Sequence, residues 1–302
     1  MLSIVIPCYN EEAVIEKTYN RLINVINGTD YKFEIIFVND GSKDGTLDIL
    51  KNLNDKSNKH IIKIINLARN FGQMGAIKAG INNAEGEAVI IIDADLQDPP
   101  ELIPEMIDKW QEGFDIVYGQ RLEREGESEF KKNTASIFYR ILNFISDVKI
   151  PVDTGEFRLL DRKVVKKFNT MTEKQKYIRG MFAWLGYKSA PVYFNRNARE
   201  DGETKYSLKM MLKLANDGIF NFSKKPLLLP FLIGFPLVIF SFLGLLINII
   251  RFNKEDLKFF VILFVLGLSL LSNFITNKYV ETIDDNVRNR PDYIIDEIIY
   301  LP

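Results

Sequence analysis

Two aspartates one residue apart are the side chains in this sequence best placed to do chemistry. Asp93 and Asp95 follow residues 88–92, an uninterrupted apolar run that is typical of a buried parallel strand. Ligands of open α/β sheets bind beyond the carboxyl ends of the strands. Two carboxylates there can share Mg²⁺ or Mn²⁺, which proteins hold with one or two carboxylates together with substrate phosphates. The pattern therefore predicts a nucleotide-diphosphate site.

Three other polar segments follow apolar runs in the same way. Residues 7–12 follow the first run and lack the glycine-rich turn of dinucleotide-binding domains, which argues against a dehydrogenase. After the second run, Asp40 stands where a carboxylate can bind a base or a ribose, while Ser42 or Asp44 can cap the next helix. Arg69, followed by glycines and the start of a helical pattern, suits a phosphate group.

Strand and helix patterns alternate along the first part of the chain. The candidate strands are residues 3–6, 33–38, 61–66, 88–92 and 115–118. Helical patterns separate them in residues 11–25, 46–53, 75–83 and 100–110. This alternation predicts an α/β fold with a mostly parallel sheet covered on both faces. Because the carboxyl ends of parallel strands meet at one edge, we expect all four polar segments to converge there.

The composition excludes several classes of protein. Over 302 residues the formal net charge is −1, so no overall basic charge points to nucleic acid. The chain has one cysteine, Cys8, and one histidine, His60. An internal disulfide is therefore impossible, which fits a reducing compartment, and neither a zinc site nor a Ser-His-Asp triad is expected. Residues 1–7 combine a short apolar run with no basic segment, which predicts a first strand rather than a signal peptide.

The second half of the chain carries patterns typical of membrane proteins. Residues 206–222 are amphipathic, as in a helix packed on the domain or one lying in the membrane interface. Residues 227–250 and 257–276 are apolar runs, each long enough to cross a bilayer, for which about 20 residues suffice. Their short connector predicts a transmembrane hairpin. Lysine and arginine are more frequent outside the connector, so both termini are expected in the cytosol.

Motifs along nearly the whole chain resemble one known family. They lie in residues 4–12, 38–46, 69–73, 93–100, 153–162 and 196–206. With these motifs the chain resembles the inverting family-2 glycosyltransferases with the GT-A fold. More narrowly, it is similar to the polyprenyl-phosphate glycosyltransferases, which include bacterial bactoprenol glucosyltransferases and dolichol-phosphate mannose synthase. We therefore predict a Rossmann-like GT-A catalytic domain at 1–205, an amphipathic interface helix at 206–225, a transmembrane hairpin at 226–277 and a cytosolic tail at 278–302.

The resemblance implies roles for particular residues. The donor nucleotide would be held by Pro7, Tyr9, Glu11, Asp40, Arg69, Gln73 and Asp93. The metal on the donor diphosphate, Mg²⁺ or Mn²⁺, would be held by Asp93, Asp95 and Gln97. The implied catalytic residues are Asp153, Glu156 and Arg199. The two carboxylates would act as a base or orient the acceptor, and the family more often has aspartate at position 156. The acceptor phosphate would be bound by Arg121, Arg196, Arg199 and Lys205.

The implied reaction moves a monosaccharide from a nucleotide-diphosphate sugar, with UDP-glucose or a similar UDP-sugar favoured, to a polyprenyl phosphate such as undecaprenyl phosphate. This acceptor needs cationic partners more than a base, because a phosphate monoester with a second pKa near 6 is largely dianionic at pH 7. The reaction would occur at the cytosolic face of the inner membrane. Two alternatives stay open, a GDP-mannose-dependent mannosyltransferase and a non-catalytic membrane-anchored module that binds nucleotide sugars.

The assembly state is open in the same way. The resemblance suggests a homo-oligomer, a tetramer. Residues 284–302 contain enough apolar side chains either to pair with a neighbouring copy or to pack on their own domain.

Overall fold

The strands and helices follow the predicted order. The computed structural model describes residues 1–53, 59–122, 154–171, 178–195, 254–288 and 290–301. The strands in these ranges are β1 (Leu2–Cys8), β2 (Phe33–Asn39), β3 (Ile61–Leu67), β4 (Ala88–Ile91), β5 (Ile116–Arg121), β6 (Thr154–Asp161), β7 (Ser189–Phe194) and β8 (Ile295–Leu301). The helices are α1 (Ile15–Asn27), α2 (Thr46–Lys51), α3 (Gln73–Asn82), α4 (Ile103–Gln111), α5 (Arg162–Asn169), α6 (Ile178–Trp184) and α7 (Lys254–Arg288), and a 3₁₀ turn at Pro100–Leu102 precedes α4.

These eight strands of the described ranges form one sheet in the order β7-β5-β6-β4-β1-β2-β3-β8. β1 pairs in parallel with β2 and β4, β2 pairs in parallel with β3, and β5 with β7. β6 runs antiparallel between β4 and β5, and β8 runs antiparallel along β3. The prediction of a mostly parallel sheet is confirmed, and the carboxyl ends of β1 to β4 meet at one edge.

Cores on both faces explain why the central strands are almost continuously apolar. On one face, alternate residues such as Ile6 and Phe37 pack against α1, α2 and α4. On the other face, the intervening residues such as Val5 and Val38 pack against α3, α5 and α6. A strand buried on both sides cannot alternate apolar and polar side chains, which is the reason that the apolar runs located these strands correctly.

Three strands of the sheet were not predicted. β6 contains no apolar run, because charged residues are interspersed with apolar residues along it. β7 also has a mixed composition, and it lies at the edge of the sheet. β8 lies in the predicted C-terminal tail and pairs with β3, with Ile64 opposite Ile299. Of the two alternatives for this segment, packing on its own domain is therefore observed for residues 295–301.

The long helix α7 covers the second apolar run, residues 257–276, and continues to Arg288. In the ranges that the structure describes, no helix combines the length and the apolar character needed to cross a membrane. The amphipathic segment 206–222 and the first apolar run, 227–250, lie outside the described residues, and so do the predicted site residues Asp153, Arg196, Arg199 and Lys205.

The contact between α3 and the sheet leaves no room for a side chain at Gly80. A Cβ atom there would meet Cγ1 of Val5 at 2.2 Å and Cγ2 of Val38 at 3.2 Å. We expect Gly80→Ala to lower the free energy of unfolding by about 1–3 kcal/mol through overpacking, measured by denaturant unfolding. Gly28→Ala, at an exposed position with φ −74°, is the control and should change stability little. Equal stability of the two variants would contradict the packing described here.

Candidate active site

The loop after β4 holds the paired aspartates in a turn that is tied to helix α1. The Asp95 carboxylate accepts a hydrogen bond from the backbone amide of Gln97 at 3.2 Å. Thr18 of α1 donates its hydroxyl to the carbonyl oxygen of Ala94, between the two aspartates, at 2.7 Å. The loop is thus anchored through its own backbone and through α1, which orients Asp93 and Asp95 before any ligand binds.

Asp93 lies in a strongly negative environment. It is partly buried, and the Gln73 side chain at the start of α3 donates a hydrogen bond to its carboxylate at 2.8 Å. Burial raises the pKa of Asp93 to about 8, and nearby negative charges add to the shift. Those charges belong, in order of effect, to Asp98, Asp95 and Glu156. The ionised form of Asp93 is therefore unfavourable at the end of β4 unless a cation is bound there.

This donor set fits a divalent metal that a substrate helps to bind. Within the described ranges, no group of three or more histidine, cysteine, aspartate or glutamate side chains is arranged to hold a metal ion. Asp93 and Asp95 offer two carboxylates, which is the usual protein share of a Mg²⁺ site completed by phosphates and water. Because a cation stabilises the charged form of Asp93, the raised pKa is also consistent with such a site. Gln97, 8 % exposed, lies beside the pair.

Asp40 clamps the loop that follows β3. Its carboxylate is buried and accepts hydrogen bonds from the backbone amides of Phe71 at 2.7 Å and Gly72 at 2.9 Å. Burial raises the pKa of Asp40, although these two bonds and the charge of Arg69 oppose the shift. At the adjacent Gly41, where φ is 64°, a Cβ atom would lie 2.5 Å from the Arg69 carbonyl carbon. Asp40 thus holds the loop that carries Arg69, and its predicted contact with a nucleoside stays a prediction.

The loop after β1 is fastened to the loop after β2. The Asn10 amide donates to the Ser42 hydroxyl at 3.0 Å, and the Glu11 amide donates to the Thr46 hydroxyl at 2.9 Å. Asp44 accepts a hydrogen bond from the amide of Thr46, the first residue of α2, at 3.1 Å, although the residue at the N-cap position is Gly45 rather than the predicted Ser42 or Asp44. Backbone groups of both loops are satisfied internally, which gives a rigid frame around the edge of the sheet.

The structure brings the predicted donor-side residues to the same edge. Each of them lies at the carboxyl end of one of the strands β1 to β4 or shortly after it. These residues are Pro7, Tyr9, Glu11, Asp40, Arg69, Gln73, Asp93, Asp95 and Gln97. Arg69 is exposed, and its guanidinium lies 4.2 Å from the centre of the Phe71 ring. The expected convergence of the four polar segments is confirmed, whereas the individual binding roles stay predictions.

Glu156 of β6 is buried and paired with arginines. It accepts a hydrogen bond from Nε of Arg179 at 2.6 Å, and Nη2 of Arg158 lies 3.6 Å from its other oxygen. Burial favours the neutral form, but the charges of these arginines and of Arg121 outweigh it and lower the pKa of Glu156. Arg121 also lies 3.5 Å from the Asp98 carboxylate. A carboxylate held ionised in this way is a weak base, so the geometry favours an orienting role.

Three residues of this charged cluster were not predicted. Asp98 and Arg158 lie inside motifs noted above, and the alternation of charged and apolar residues along β6 is a signal that could have found Arg158. Arg179 has no local signal, because it meets Glu156 only after α6 packs on the sheet. Antiparallel pairing sets Arg158 opposite Ile91, and the continued register brings Glu156 level with Asp93.

Comparison with known proteins identifies the family. A model of glycosyl transferase family 2 matches residues 3–168. The uncharacterized glycosyltransferase YkcC of Bacillus subtilis is 45 % identical, over 97 % of this chain and 92 % of the relative. The uncharacterized glycosyltransferase sll0501 of Synechocystis is 43 % identical, over 100 % and 97 %. The prophage-derived bactoprenol glucosyl transferase of Shigella flexneri is 36 % identical, over 97 % of each chain. The chain therefore belongs to glycosyl transferase family 2 and is a glycosyltransferase with a Rossmann-like GT-A fold.

Proposed function

We propose that this enzyme transfers a monosaccharide from a UDP-sugar to a polyprenyl phosphate with inversion at the anomeric carbon. The observation that carries the donor half is the pair Asp93 and Asp95 at the carboxyl end of β4, where burial and neighbouring carboxylates raise the pKa of Asp93. A divalent cation would stabilise the charged form of this pair and could in turn bind a diphosphate. The acceptor half is supported by the similarity, along nearly the full chain, to relatives named bactoprenol glucosyl transferase.

The residues of the donor side would act mainly by holding the metal and the donor nucleotide in position. Asp93, Asp95 and Gln97 would hold Mg²⁺ or Mn²⁺ on the donor diphosphate. When bound, this cation would offset the negative charge that develops on the departing diphosphate. Gln73 fixes the Asp93 carboxylate, and the exposed Arg69 is available to a phosphate or a base. Pro7, Tyr9 and Glu11 would enclose the nucleoside.

The acceptor would react as a phosphate dianion. One of its oxygens forms a bond to C1 of the sugar while the bond between C1 and the diphosphate oxygen breaks, and the electron pair leaves with the nucleoside diphosphate. No proton has to be removed from the acceptor at pH 7. Arg121, with Arg196, Arg199 and Lys205, would supply the positive charge that holds the lipid phosphate. Asp153 would orient the acceptor.

A lipid acceptor calls for attachment to the membrane. The apolar runs 227–250 and 257–276 support a transmembrane hairpin, with the catalytic domain and both termini on the cytosolic side. Residues 206–225 would then lie at the inner leaflet, next to the basic residues proposed for the acceptor. A homotetramer stays part of this proposal on the resemblance alone.

A transfer assay tests the proposed reaction. The full chain in detergent would receive undecaprenyl phosphate, Mn²⁺ or Mg²⁺, and separate UDP- and GDP-sugars. We expect one UDP-sugar to give a lipid-linked monosaccharide of inverted configuration, and Asp95→Asn to lower the rate at least 100-fold. The control is Asp108→Asn on the exposed side of α4, which should leave the rate unchanged. A product from GDP-mannose alone would favour the mannosyltransferase, and nucleotide binding without transfer would favour the non-catalytic module.

The raised pKa of Asp93 predicts a pH dependence of stability. Because the folded chain binds this proton more tightly than the unfolded chain, Asp93 favours folding at low pH and loses that effect as the pH rises from about 4 to about 8. We expect the melting temperature in chelator to fall across this range, and to fall less in Asp93→Asn. Mn²⁺ should stabilise the wild type more at pH 8 than at pH 6. A decline of equal size in both proteins would contradict the assignment.

Because Glu156 is paired with arginines, its substitution should destabilise the fold without removing a catalytic base. Glu156→Gln leaves Arg179 and Arg158 without their buried counter-charge, and we expect it to lower the free energy of unfolding by about 3 kcal/mol. Its pH–rate profile should keep the acid limb of the wild type. Glu101→Gln, which breaks the more exposed pair with Arg21, is the control and should cost less than about 1 kcal/mol. A stable Glu156→Gln enzyme without an acid limb would identify Glu156 as a base.

A further inference from the structure

The last described residues of the chain hold the two elements that carry Arg69 and Gln73. Residues 292–297, called here the C-terminal strap, lead from the end of α7 into β8. At the loop after β3, the carbonyl oxygen of Ile294 accepts a hydrogen bond from the Ala68 amide at 3.0 Å. The strap therefore contacts the segment that leads directly into the loop clamped by Asp40.

Along α3, the strap makes contacts from the first turn to the last residue. Asp292 accepts a hydrogen bond from the buried Lys78 ammonium at 2.9 Å, and the Tyr293 hydroxyl accepts one from the Asn82 side chain at 2.7 Å. At Gly75, a Cβ atom would lie only 3.0 Å from the Asp292 carbonyl oxygen, so strap and helix are in close contact. α3 has 10 residues, too few to be stable alone, and its position depends on such packing.

Further contacts extend this attachment along β8. Glu297 pairs with Lys51 at 3.1 Å, and β8 forms a ladder with β3 from Ile62 to Leu67. The strap is thus fixed at α3, at the loop after β3 and at the edge of the sheet. Each of these attachments lies on the donor half of the molecule, whereas Glu156 and its arginines lie on the other side of β4.

We propose that the C-terminal strap is a component of the donor site, and that strap docking and donor binding stabilise each other. Asp292 and Tyr293 are positioning residues: they hold α3, which holds Gln73, which in turn orients Asp93. By thermodynamic linkage, a diphosphate that binds better when α3 is in place must also favour the docked strap. The inference rests on the proposed function, because it takes the ligand to be a nucleoside diphosphate with a divalent metal.

Hydrogen exchange on the wild-type full chain tests this coupling without any substitution. Amides of β8 are followed with and without UDP and Mn²⁺, and β7, at the opposite edge of the sheet, is the reference. We expect UDP with Mn²⁺ to slow exchange in β8 at least 5-fold more than in β7, because the strap opens locally rather than with the whole domain. Equal slowing in the two strands would overturn the coupling.

Substitution of Asp292 gives a second readout. Asp292→Asn should raise the dissociation constant of UDP with Mn²⁺ about 5-fold or more, while Asp292→Glu, which keeps the charge, should bind more tightly than Asp292→Asn. The control is Glu281→Gln, which removes an ion pair of similar length, 2.8 Å, within α7 and should leave UDP binding unchanged. If the wild type binds UDP and Asp292→Asn binds it equally well, the inference fails and the proposed function stands. If the wild type binds neither UDP nor GDP with metal, both fail.

Discussion

The negative charge gathered at the carboxyl end of β4 is the constraint on which the rest of the site depends. Burial, together with the nearby charges of Asp98, Asp95 and Glu156, raises the pKa of Asp93 to about 8. Like charges in a partly buried place are costly unless cations balance them. The protein balances one side itself, with Arg121, Arg158 and Arg179 around Glu156 and Asp98. Under the proposed function, a metal that arrives with the donor diphosphate would balance the side of Asp93 and Asp95, and this asymmetry would divide the site into a donor half and an acceptor half.

Rigid backbone connections keep these charges in place. Asp40 bonds two amides of the loop after β3, the loops after β1 and β2 are joined by hydrogen bonds, and Thr18 anchors the turn between the paired aspartates. Each connection gives hydrogen-bond partners to backbone groups that the sheet itself does not pair at this edge. The donor half is therefore organised before substrate binds, which reduces the ordering that binding and reaction require.

Sequence patterns predicted well where the proposed donor residues lie, and predicted the surroundings of Glu156 only in part. The strands that precede Asp40, Arg69 and Asp93 are buried on both faces, so their apolar runs marked both the strands and the polar residues that follow them. No apolar run marked β6, because charged residues are interspersed along it, although its alternation of charged and apolar residues is a local signal. Arg179 reaches Glu156 from a separate helix and has no such signal. The position of β8 depends on its pairing with β3, which is distant in the sequence, and no local sequence signal indicates such a pairing. The roles of Asp153, Arg196, Arg199 and Lys205 stay predictions.

The most direct test of the account is a Mn²⁺ titration of the full chain, followed by electron paramagnetic resonance, with and without UDP. Two carboxylates alone make a weak site, and diphosphate oxygens complete it. The account predicts that UDP tightens Mn²⁺ binding by about 10-fold or more in the wild type, and that Asp95→Asn abolishes this gain. Mn²⁺ binding of equal affinity with and without UDP, or an unchanged gain in Asp95→Asn, would contradict it.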